Sequence, residues 1–138
     1  MRRHAEWIAG EYAIDGRLLQ DHLAAAAKQP IDLVSPLGWI VPDRERLYSR
    51  RLLLLGESVL PSGRRDLLVC PECADLGCGC LSVEVAIADG LVTWSSFGYE
   101  NNHDPDSLSL YGIGAFVFTL GEYAAVLRGR AGASETEI

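Results

Sequence analysis

The sharpest alternation of apolar and polar positions in the chain runs from Ser82 to Ser96, and it is interrupted once, at Asp89-Gly90. A two-residue Asp-Gly loop closes a β-hairpin in a type I′ turn, because both central residues tolerate positive φ. Ala88 is thereby set opposite Leu91. Side chains alternate with a period of two, so Val83, Val85 and Ile87 share a face with Val92, Trp94 and Ser96. Glu84, Ala86 and Ala88 share the other face with Leu91, Thr93 and Ser95. The first face is predicted as core and the second as largely wet.

Weaker patterns flank this hairpin. Residues 5 to 14 mix Trp7, Ile8, Tyr12 and Ile14 with Glu6 and Glu11 and stop at Asp15-Gly16, which predicts a short strand. From Arg17 to Lys28, Leu18, Leu19, Leu23 and Ala26 recur at helical spacing, and Pro30 ends the run. His22 lies at the edge of that stripe, either packed on its ring or functional. Residues 31 to 42 are apolar but broken by Pro36, Gly38 and Pro42, so a loop with a brief extended piece is expected. Its Trp39 is a core anchor or an exposed contact residue. Asp43 is the expected N-cap of a helix to about Leu55, with Leu47, Tyr48, Leu52 and Leu55 buried and Gly56 as its stop. A turn-rich connection over 57–65 leads to a strand at Leu67–Cys70. After the hairpin come a long polar loop over 98–112, a strand at Ala115–Phe118, and a last helix. Thr119 and Glu122 form that helix's capping box, Tyr123, Val126 and Leu127 face inward, and Arg128 and Arg130 complement its C-terminal dipole. Together these elements predict one α+β domain over residues 1–130. It has a short antiparallel sheet around the 82–96 hairpin and helices on one face, followed by a disordered tail over 131–138.

Composition fits that picture and narrows the function. At 138 residues, with 49% hydrophobic and 22% charged side chains, the chain can bury one core. Its net charge of -7 speaks against general nucleic-acid binding, which requires cations to neutralise phosphates. Residues 44 to 65 run against the average, with six arginines facing only Glu45 and Glu57. That segment is either a solvated helix face or a basic patch on an acidic body. The basic N-terminus has no apolar stretch behind it and does not read as a signal peptide, and the longest aliphatic run, Leu52 to Leu55, is far too short to cross a membrane. A cytoplasmic location, with reduced or metal-bound thiols, is the expectation.

Chemistry concentrates in one place. All four cysteines, Cys70, Cys73, Cys78 and Cys80, fall within eleven residues just before the hairpin. Three readings compete. The four thiolates could bind zinc, with Cys70-Pro-Glu-Cys73 as a knuckle and Gly77 and Gly79 letting the chain fold back so that Cys78 and Cys80 complete a tetrahedron. Cys70 and Cys73 could be a redox pair, although no long helix follows to activate the first thiol. All four could instead be reduced, partly buried small residues lining a tight connection. The run Glu100-Asn101-Asn102-His103-Asp104-Pro105-Asp106 could bind a cation or serve acid-base chemistry, or be simple turn chemistry, and His103 could stand in for Cys80 as a ligand. Nucleotide-binding and serine-hydrolase motifs are missing from the sequence.

The stretch Leu68-Val69-Cys70-Pro71-Glu72-Cys73, Asp75-Leu76-Gly77-Cys78-Gly79, Trp94 and Phe97-Gly98-Tyr99-Glu100-Asn101-Asn102 resembles a group of small uncharacterised bacterial proteins, mainly from actinomycetes. The likeness covers roughly residues 67 to 102. It implies a shared fold, and its emphasis on the first three cysteines implies that Cys80 is an extra. The leading functional expectation is a non-enzymatic module that binds a protein partner, of immunity or regulatory type. The alternative is a thiol-redox or metal-dependent enzyme using Cys70 and Cys73.

Overall fold

A computed structural model describes residues 3, 5–8 and 11–130, without the side chains of 5–8 and 128–130. The tail over 131–138 lies outside the described residues, and so do the side chains of Arg128 and Arg130. The described residues form two sheets and three α-helices, in an α+β arrangement as expected.

The N-terminal stretch is two strands where one was expected. β1 (Ala5–Ile8) and β2 (Glu11–Ile14) pair antiparallel, and β3 (Arg17–Leu18) adds to β2 across Asp15-Gly16. Both turn residues take positive φ, 55° and 80°, the requirement that Asp-Gly meets. The following helix, α1 (Leu19–Ala27), therefore starts two residues later than its periodicity suggests, and Lys28 closes it in the left-handed conformation.

α2 (Pro42–Leu52) departs from expectation in its cap, face and end. Pro42 occupies the first turn, so Val41 is the N-cap and the Asp43 side chain does not cap. Its buried residues are Glu45, Tyr48, Ser49 and Leu52, while Leu47 and Leu55, expected inside, are 56% and 48% exposed. Glu45 faces inward because its carboxylate accepts the Gly38 amide from the 31–42 loop. The end is a Schellman motif without glycine. Leu54 takes φ 59°, and the Leu54 and Leu55 amides donate to the Arg51 and Arg50 carbonyls, so Gly56 is not the stop.

The main sheet carries the rest. β4 (Arg65–Leu68), β5 (Cys80–Ala88), β6 (Leu91–Glu100) and β7 (Ser109–Leu110) are neighbours in that order, and β8 (Phe116–Thr119) also pairs with β6. Val34, in the 31–42 loop, bridges to Val69. The Asp89-Gly90 turn has φ of 54° and 73°, and Ala88 opposes Leu91 and Val85 opposes Trp94, as read from the sequence. The strict register stops at Glu84. Ser96, with φ 54°, is the extra residue of a β-bulge, and beyond it Ser82 opposes Gly98. Ser96 is thus only half-buried, and fully buried Phe97 lies beside Trp94 in the core.

Helix α3 (Leu120–Arg130) closes the core. The Glu122 amide donates to Thr119 Oγ1, the expected N-terminal cap contact, and Tyr123 and Leu127 are buried. Trp94 sits at the centre, with the rings of Tyr12, Phe97, Phe118 and Tyr123 edge-on around it. Its Nε1 donates to the Tyr123 hydroxyl, which donates to the Leu52 carbonyl. Leu19 and Leu23 of α1 and Tyr48 and Leu52 of α2 join the same cluster. His22 packs edge-on against Phe116 and bonds the Ile14 carbonyl, the packed alternative of its two readings.

Candidate metal centre

Residues 69 to 79 leave β4 and return to β5 through one tight bend. Pro71 opens it, and the Ala74 amide closes a turn onto the Cys70 carbonyl at 2.9 Å, with Ala74 itself at φ 58°. Asp75 then caps a single 3₁₀ turn, Leu76–Cys78, by accepting the Gly77 amide at 2.8 Å. Gly79 has φ 101°, and a Cβ there would collide with the Tyr99 ring, whose hydroxyl donates to the Cys78 carbonyl at 3.1 Å. Glycine is therefore required both by conformation and by space. Asn102 adds a second strut, its amide donating to the Leu76 carbonyl.

This bend brings three of the four cysteines together. The sulfur atoms of Cys70, Cys73 and Cys78 all lie within 4.8 Å of one another, and Cys73 Sγ and Cys78 Sγ are 3.5 Å apart. No disulfide joins them, so all three sulfurs are available as ligands. Cys73 and Cys78 are exposed and Cys70 is half-buried. Such a group can hold a metal ion. The knuckle geometry is visible in the electrostatics. The backbone amides of Glu72 and Cys73 point at Cys70 and lower its thiol pKa, which favours the thiolate that a metal needs. Cys78 is pushed the other way, to about 11, first by its hydrogen bond with Cys73 and then by that residue's charge. Crowded thiols resist joint ionisation, and a cation among them would reverse that.

Cys80 stands apart from this group. It is the first residue of β5, opposite Glu100 on β6, and has no exposed surface. Burial, then the charges of Asp66 and Glu100, push its thiol up to about 12. It is the packing cysteine of the third sequence reading, while the other three form the cluster. His103 is also outside the group. It lies in a turn built by Asn101, whose Oδ1 accepts the His103 and Asp104 amides, as turn chemistry predicts for the 100–106 run.

Beneath Cys80 lies a feature that sequence reasoning missed. Arg64, 6% exposed, places Nε 2.9 Å from Ser82 Oγ and 3.4 Å from Glu100 Oε2. Its guanidinium also reaches the Ser96 carbonyl at the bulge, and Ser62 donates to Glu100 at 3.0 Å. Arg51 and Asp66 form a second, bidentate pair at 2.9 and 2.8 Å, and Arg65 donates to the Gly56 carbonyl. Half of the arginines in the 44–65 segment are thus internal struts. The signal available in the sequence was the run Cys80-Leu-Ser-Val83, which carries no charge and no alternation.

Comparison with models of known families, with curated proteins and with solved structures finds no match. Among the described residues, no helix is long and apolar enough to cross a membrane.

Proposed function

We propose that this protein is a non-enzymatic, cytoplasmic binding module whose 70–78 loop is organised by a zinc ion on Cys70, Cys73 and Cys78. The observation that carries the reading is the mutual approach of those three sulfurs on one short bend. Thiolate donors select soft or borderline metals, zinc first among the common redox-inert ones. The three also coincide with the cysteines that the resemblance to the small actinomycete proteins singles out.

The exposed apolar residues around α2 support a protein partner of regulatory or immunity type. Trp39, Val41, Leu47, Leu54, Leu55 and Val59 are all exposed, and they crowd into one stretch of twenty-one residues around α2. Solvated aromatic and aliphatic side chains beside arginines have the composition of an interface core. One specific observation favours a second reading as a thiol enzyme: the Cys73 and Cys78 sulfurs are in contact at 3.5 Å, with the lowered Cys70 thiol beside them.

Metal analysis combined with thiol titration separates the two. The module reading expects one zinc per chain and three thiols that react only after chelation, with Cys80 reacting only on unfolding. A metal-free protein with one thiol reactive well below the ordinary pH range, oxidised to a Cys73–Cys78 disulfide by peroxide, would establish the enzyme reading instead.

A further inference from the structure

We infer that the cysteine centre is an open one, and that its fourth position takes the thiolate of a small carboxylate-bearing thiol lodged in the groove between the loop and α2. This rests on the zinc reading above and extends it to a ligand. A structural zinc site closes its tetrahedron with protein ligands, whereas a site with three protein ligands keeps one position for an exogenous group. Among the described residues, no further cysteine, histidine, aspartate or glutamate joins Cys70, Cys73 and Cys78. The nearby titratable side chains lie outside the cluster. Cys80 is buried against Glu100 and Asp66, Asp75 is the cap of the 3₁₀ turn, and His103 sits in its own turn.

The surroundings define what could arrive. A groove of about 450 Å³ is lined by Cys73, Asp75 and Asn102 on the loop side and by Arg44, Leu47, Arg51 and Val59 on the other, so its two arginines face one carboxylate. Arg51 is held by Asp66, but Arg44 is exposed and forms no ion pair among the described residues. Leu47 and Val59 offer apolar surface to a short carbon skeleton. Three thiolates on a divalent zinc carry one net negative charge, which weakens the metal as a Lewis acid and favours a soft fourth donor over a hard oxyanion. Binding is then ligand exchange. The incoming thiol releases its proton to solvent, its sulfur lone pair forms the bond to zinc, and a coordinated water leaves. The carboxylate at the far end is received by Arg44, whose guanidinium matches it in charge and shape.

The test uses the full chain loaded with cobalt(II), a spectroscopic stand-in for zinc, and titrated with 3-mercaptopropionate, 2-mercaptoethanol and propionate. The sulfur-to-cobalt charge-transfer absorbance should rise by about one third as a fourth sulfur joins three. Mercaptopropionate should bind about tenfold more tightly than mercaptoethanol, since only it can pair with Arg44. Propionate should leave the band unchanged. Arg44→Ala should erase the preference between the two thiols without altering cobalt affinity. A charge-transfer band that ignores added thiol overturns the inference, and so does a four-sulfur band before any is added. A cobalt-dependent dimer would show that a second copy fills the position, and also overturns it. Failure to take up cobalt at all sinks the zinc reading itself, an outcome distinct from these.

Discussion

The two ends of the central hairpin obey different rules. At the turn end, residues 84–95 alternate as a two-faced ribbon, with Glu84, Ala86 and Ala88 exposed and Val92 and Trp94 buried. At the base, Cys80, Leu81, Ser82 and Val83 are buried without interruption. The difference is one of neighbours. β4 pairs with β5 only over 81–83, so the turn end of β5 is an edge while its base is interior. Arg64 then roofs the outer face at the base and bonds to Ser82, Glu100 and the bulge at Ser96. A single strand can thus be half wet and half core, and polar groups placed in its core half must be satisfied by other polar groups.

Substitutions can sharpen this contrast, beginning with the largest effect. Trp94→Ala empties the centre of the aromatic cluster and should cost about 3–5 kcal/mol in denaturant unfolding. A midpoint equal to that of the unaltered chain would mean that Trp94 is not the keystone of the turn-end core. Glu100→Ala at the base should cost about 3 kcal/mol, because it strands a buried guanidinium. Glu84, which also approaches Arg64 at 3.6 Å, is exposed, and Glu84→Ala should stay within about 0.5 kcal/mol. Equal losses at the two glutamates would erase the distinction between the ends.

Gly79→Ala tests the joint between the base and the cysteine loop. The left-handed strain alone should cost about 1–3 kcal/mol, and metal affinity should fall with it as Tyr99 is displaced. Unchanged zinc affinity in this variant would detach the loop's geometry from the strand that carries it.

A smaller effect appears at alkaline pH. The Cys80 thiol is raised by burial from 9.0 to about 12, so the folded chain holds a proton that the unfolded chain releases. Its contribution is complete below about pH 9 and is lost progressively as the pH climbs toward 12. Buried Tyr12 and Tyr48, also raised by desolvation, add to the loss above their ordinary range. Melting temperature against pH should therefore decline more gently at first in Cys80→Ala than in the unaltered chain. Superimposable curves would place Cys80 in contact with solvent. Cys80→Ser should also keep its zinc where Cys73→Ser loses it, and the reverse order would return Cys80 to the ligand set.

Local chemistry alone determined the hairpin turn, its register as far as Glu84, and a tight bend that crowds cysteines ahead of β5. Each of these depends on residues close in sequence whose backbone preferences admit few solutions. Which face of α2 is buried, where the hairpin bulges, and why Cys80 parts from its neighbours were settled only in three dimensions. Leu47 could not be known to be exposed until Glu45 met Gly38, and Ser96 could not be known to bulge until Arg64, thirty-two residues earlier, reached its carbonyl. The pattern of a segment records its own period. It does not record which partner will cover it, and burial is a property of the pair.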